Sequence, residues 1–241
     1  MKKVLLLLIA IVFVGCSSAD EQPAAQAREL TVDGYTFKMM PVSSGNGNFL
    51  ISRTEVPWDV YDSFVQFINS TENQYAIDAV TGPTPAYATV DRGFGRGGYP
   101  AISMSAKAAD SFCSWLSSKT ETTFTIPTIE QWNLANVGGG GAWHKWNADK
   151  TTHPIATTEP NTLGVYDMRG NVGEWVSTPE GPRVIGGSFR TPAEELGPKS
   201  LLTRDKSWNT TDPQLPRSPW WLADADYVGL RVVINEGNSN E

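Results

Sequence analysis

Between Pro160 and Val176 the chain reads Pro-Asn-Thr-Leu-Gly-Val-Tyr-Asp-Met-Arg-Gly-Asn-Val-Gly-Glu-Trp-Val, which concentrates oxygen donors in a short space. Asp167 and Glu174 carry carboxylates and Asn171 an amide. Gly164, Gly170 and Gly173 let the backbone turn tightly enough to aim carbonyls inward. A hard cation such as calcium takes six to eight oxygens, and a turn of this composition supplies several of them. The plainer reading of the same residues is a Gly-rich loop whose Asp and Asn bond to nearby backbone.

Soft-metal and thiol chemistry is constrained by supply. The chain has 2 cysteines, Cys16 and Cys113, and 2 histidines, His144 and His153. Cys113 falls in a helical pattern with Ala109, Phe112, Trp115 and Leu116 on its apolar side, which reads as a buried structural thiol. Non-haem iron asks for two His and a carboxylate, so both histidines would have to converge. Ser188 as a hydrolase nucleophile has no base placed beside it by sequence. A second cluster lies near the C-terminus. Arg204, Trp208, Trp220 and Trp221, with Lys206 and Arg217, put aromatics among basic groups and form a candidate ligand cleft for sugars, peptides or anions. The alternative is that Trp220 and Trp221 plug the core beneath a long loop.

The chain ends bear on location. Lys2 and Lys3 precede an apolar run from Val4 to Val14, the pattern of a secretory leader and too short to span a bilayer. The run closes on Phe13-Val14-Gly15-Cys16-Ser17-Ser18, which resembles a bacterial lipobox. Residues 1–15 are therefore expected to be a lipoprotein signal peptide, with Cys16 lipidated and anchoring the protein to the cell envelope. Ser17 after the lipid cysteine favours the outer membrane. Residues 16–34 read as a solvated tether, 35–234 as one domain and 235–241 as a polar tail. Removing Lys2 and Lys3 with the leader makes a chain of net charge −7 still more acidic, and no basic stripe is present, which argues against nucleic-acid binding. With Cys16 anchored, Cys113 has no disulfide partner.

The elements follow from spacing. Glu55 to Ile68 has the apolar period of an amphipathic helix with Pro57 suited to its first turn. A second helix is predicted over Ser105 to Ser117. A third starts at Thr128, where Gln131 completes a capping box, and stops at the Gly138 to Gly141 run. Short strands are predicted at 35–41, 47–53, 183–189 and 227–234. The remainder is loop, with 22 Gly and 16 Pro. The fold class is α+β.

The 160–176 segment resembles the PN-x-x-GLYDMHGNVWEW signature of the formylglycine-generating enzyme family, the sulfatase-modifying-factor domain. Other landmarks are similar and come in order: Thr54-Glu55-Val56, Tyr99 to Met104, Ala109 to Leu116, Ile126 to Trp132, Thr152 to Ile155, Arg183 to Phe189, and Tyr227 to Val233. The resemblance covers residues 37 to 234 and implies a compact α+β fold related to C-type lectins, with short strands, few helices and much loop. It also implies a structural calcium held by Glu55, Asp167, the carbonyls of Gly170 and Val172, and Glu174. The family's oxidising members use two cysteines after the Gly-Gly-Ser element to bind copper. From Arg183 to Glu241 this chain has none, so no copper is expected and formylglycine generation is excluded. The resemblance thus leads to a lipid-anchored binding or accessory domain whose partner is a peptide, a glycan or an envelope protein. An iron-type oxidoreductase and a lectin-like display protein are the alternatives.

Overall fold

The computed structural model describes residues 26–45, 47–70 and 89–236, with side chains of 69 and 70 set aside. The predicted leader, Cys16 and most of the tail lie outside the described residues. Two sheets form the frame. The first has the order β1 (Arg28–Val32), β2 (Tyr35–Val42), β3 (Phe49–Ser52), β9 (Val233–Asn235), β4 (Phe124–Thr125) and is antiparallel throughout. The second has the order β7 (Gly197–Leu202), β6 (Arg183–Gly186), β5 (Gly173–Val176), β8 (Val228–Gly229), with β5 and β8 parallel.

The helices are α1 (Trp58–Ser70), α2 (Ala106–Thr120) and α3 (Ile129–Ala135). Ser105 caps α2, its side chain accepting from the Ala108 N–H. Thr128 and Gln131 make the reciprocal capping box at α3, which satisfies two donors that a helix start otherwise leaves unpaired. Val60, Tyr61 and Phe64 turn the buried face of α1 onto Phe112 and Trp115 of α2. Tyr61 stacks on Phe112 at 5.5 Å, and Trp58 stacks on Trp221 at 6.3 Å. Each large apolar side chain buried this way contributes about 1.5–3 kcal/mol. Among the described residues no helix is long and apolar enough to cross a membrane.

Three boundaries differ from the predicted ones. Residues 28–32, inside the stretch 16–34 expected to be a tether, form β1 and pair with β2 across a turn at Asp33-Gly34. Both turn residues have positive φ, as a two-residue hairpin requires. The strand predicted at 183–189 ends at Gly186, where Gly186 and Gly187 enter the left-handed region. The closing strand predicted at 227–234 is two strands in different sheets, β8 and β9. The chain crosses from one sheet to the other between them, and Arg231 sits at the crossing.

Candidate functional site

The Gly-rich segment bonds through the Tyr166 N–H to the Arg53 carbonyl just past β3 and runs into β5, and Arg231 is the centre of what it builds. Arg231 and Glu174 are 0% and 1% exposed and form a bidentate pair at 2.6 and 2.7 Å. The guanidinium also donates to the carbonyls of Ser52 at 3.0 Å and Tyr166 at 2.9 Å. Trp132 Nε1 donates to the same carboxylate at 2.7 Å. One buried pair therefore ties β3, α3, β5 and the β8–β9 crossing.

Glu55 lies beside this pair. It accepts from the Val172 N–H at 3.1 Å and from Asn171 Nδ2 at 2.8 Å. Asp167 accepts from the Ala156 N–H at 2.8 Å and from Thr158 Oγ1 at 3.3 Å. Asp167 and Asn171 hold φ of 54° and 50°, a region that Asp and Asn tolerate better than other side chains. Gly170 must be glycine, since a Cβ there would stand 2.1 Å from the Trp143 carbonyl oxygen. Burial, then the charges of Asp167 and Glu174, push the Glu55 carboxyl well above the usual glutamate range. Burial likewise raises Asp167.

The residues expected to hold calcium are thus neighbours, but they do not form an open oxygen cage. All three carboxylates spend both oxygens on protein donors, and Arg231 supplies the positive charge. Among the described residues no three acids, histidines or cysteines come together in a way that could hold a metal ion. Nor do the histidines converge with a carboxylate. The His153 ring stacks on Trp143 at 3.7 Å and its Nε2 meets the Ala148 carbonyl at 3.1 Å, while His144 Nδ1 accepts from the Trp146 N–H.

The expected C-terminal cleft is corrected by packing. Trp208, Trp220 and Trp221 are 5%, 8% and 3% exposed. Trp208 contacts the rings of Trp175 and Tyr227, and Trp221 those of Trp58 and Tyr61. They fill the core beneath the loop because a domain this rich in loop needs bulky plugs. Arg204 alone of the four is exposed, so no aromatic platform exists there. Trp208→Phe is expected to cost about 1–2 kcal/mol by chemical denaturation, and Arg204→Ala within about 0.5 kcal/mol of nothing. Equal effects would contradict this packing.

A different pocket, not read from the sequence, opens on the second sheet next to the Gly-Gly-Ser element. Its volume is about 180 Å³. Leu202 of β7, Val184 of β6 and Gly173 of β5 make its floor, with Tyr227, Ser188, Thr191 and Arg190 around it. Gly173 stands where the resembled signature has Trp, and a Cβ there would meet Val184 Cγ1 at 2.6 Å. Arg190 pairs with Asp226 at 2.5 Å and lies over the Phe189 and Tyr227 rings. The pocket is lined mostly by apolar surface and is the size of one large side chain. Two larger grooves, of about 510 and 540 Å³, run past the start of α3 and share Thr128, Gln131 and Asn235.

Cys113 is buried on α2 against the core, and burial pushes its thiol up, which disfavours the thiolate. No thiol lies in the segment following Ser188.

Solved structures that share this fold include the following three. Treponema denticola variable protein 1 matches with TM-score 0.62 at 16% identity, covering 87% of this chain and 99% of that one. PvdO from Pseudomonas aeruginosa matches with TM-score 0.61 at 15% identity, covering 89% and 100%. CarF matches with TM-score 0.54 at 18% identity, covering 79% and 87%. These likenesses concern the fold alone. No curated protein matches the chain. The model of the sulfatase-modifying factor enzyme 1-like domain matches residues 27–236, and with its ordered motifs, two-sheet α+β frame and Arg231-centred junction the chain belongs to that family.

Proposed function

We propose that this protein is a lipid-anchored accessory or binding domain of the cell envelope that uses the sulfatase-modifying-factor scaffold without its cysteine-oxidising chemistry. The observation that supports this most is the surface around Gly186-Gly187-Ser188. It offers a side-chain-sized apolar pocket rimmed by Arg190 and Tyr227, and no thiol. Such a pocket selects a ligand by apolar fit, with Arg190 beside it as a charged contact. Calcium is not needed for this reading, since Arg231 already balances part of the carboxylate charge.

The chemistry is tested by incubating the purified domain with copper(I), oxygen and a cysteine-containing peptide. Neither stoichiometric copper binding nor aldehyde formation is expected. Aldehyde captured by a hydrazide probe would overturn the proposal, and stoichiometric iron in the purified protein would favour the oxidoreductase alternative.

The anchor is tested separately. Cys16→Ser is expected to move the protein from the detergent phase to the aqueous phase and abolish labelling by a radioactive fatty acid. Unchanged partitioning would remove the lipid from the account.

A further inference from the structure

Strand β7 lies at the end of the second sheet, paired with β6 on one side and with no other strand among the described residues. Alternate backbone N–H and C=O groups of an edge strand point outward without a ladder partner. From Pro198 to Leu202 every residue but Ser200 is exposed, and Leu201 and Leu202 are each 39% exposed. Two adjacent exposed leucines on a sheet edge are a poor arrangement for a surface that meets only water.

Charge is concentrated at the same place. Lys199 lies on β7, and Arg204 and Lys206 follow directly after it, all exposed. None of the three has an ion-pair partner among the described residues. The Asp205 carboxylate between them accepts from the Ser207 N–H, which holds it in the charged form, so it offsets one of the three positive charges. Glu194 and Glu195 precede the strand, so the positive charge gathers towards its Leu202 end. This basic end belongs to a chain of net charge −7. Two copies laid edge to edge would bring like charges together, so a second copy is disfavoured.

We infer that β7 is a docking edge for an extended, acidic peptide segment of a partner protein, which adds a strand to the sheet. The inference rests on the binding-domain reading and deepens it. Leu202 is both an edge residue and part of the pocket floor, so an apolar residue of the added strand lies within cross-strand reach of the pocket mouth. Main-chain bonds to β7 supply affinity, and Lys199, Arg204 and Lys206 select acidic side chains.

The probe is a ten-residue acetylated peptide alternating valine and aspartate, titrated into the full domain at low salt and followed by calorimetry. Two controls use the same side chains with every backbone nitrogen methylated, and lysine in place of aspartate. Methylation is expected to weaken binding at least about tenfold, because it removes the ladder donors on both edges of the peptide. The lysine peptide and the triple variant Lys199→Glu, Arg204→Glu, Lys206→Glu are each expected to weaken it by a similar factor. All three positions are exposed, and unchanged circular dichroism checks that the variant is folded. Equal binding of methylated and unmethylated peptides would overturn strand addition. Equal binding of the lysine peptide would overturn acidic selection, and no binding at millimolar peptide would overturn both. These outcomes are independent of the aldehyde assay, so an edge that binds nothing is distinguishable from a domain that oxidises cysteine.

Discussion

Arg231→Ala is expected to destabilise the domain by about 3–5 kcal/mol, a large share of what a single domain has. The truncation leaves Glu174 at 1% exposure without its guanidinium partner, with Glu55 and Asp167 close by. It also strips donors from the carbonyls of Ser52 and Tyr166. The pair itself is a different matter, since burying two charges costs about as much as their attraction returns. Arg231→Met combined with Glu174→Gln should therefore recover much of the loss, because Gln keeps an acceptor for Trp132 Nε1. Chemical denaturation of the three proteins measures both quantities. A loss under about 1 kcal/mol for Arg231→Ala would mean that another cation balances the carboxylates, and the account centred on Arg231 would fail.

How far this was legible in the sequence depends on whether a feature is local. The capping box at Thr128 and Gln131, the cap at Ser105 and the apolar face of α1 need only neighbours within a turn or two, and all three stand where spacing puts them. The Asp33-Gly34 hairpin was also local, but the low-hydrophobicity stretch before it disguised β1 as tether. Trp208, Trp220 and Trp221 could not be placed, because burial of an aromatic in a loop depends on what the loop covers. The partner of Glu174 is 57 positions away and reached through a crossing between two sheets, which no periodicity encodes. The pocket was not legible either. That a void lies beside Gly173 depends on Val184 and Leu202 arriving from two other strands.

Glu55 makes the second large prediction, since its hydrogen bonds and its electrostatics pull in opposite directions. Its two oxygens face an N–H and an amide NH2, neither of which can accept, so the geometry suits a carboxylate. Burial and two neighbouring carboxylates disfavour that charge and raise its pKa, against the smaller opposing effects of Arg231 and Asn171. A folded-state pKa raised above the unfolded value means that the native protein holds the proton more tightly. The stability linked to this group is thus fully present below about pH 4 and is lost as pH rises through the raised native value. In chelator, the thermal midpoint is expected to fall as pH increases through that window, once the contribution of the rest of the chain is subtracted with Glu55→Gln. At low pH that variant should lie within about 1 kcal/mol of the wild type, because the protonated carboxyl's O–H and the Gln NH2 alike must face one of the two donors. Its pH slope should be flatter, and this isolates the titration. Millimolar calcium is expected to leave the wild-type curve unchanged, because the carboxylate oxygens are occupied and Arg231 is fixed among them. A calcium-dependent rise that also removed the slope would show a divalent cation sharing these carboxylates, and Arg231 would then be only one part of the charge balance.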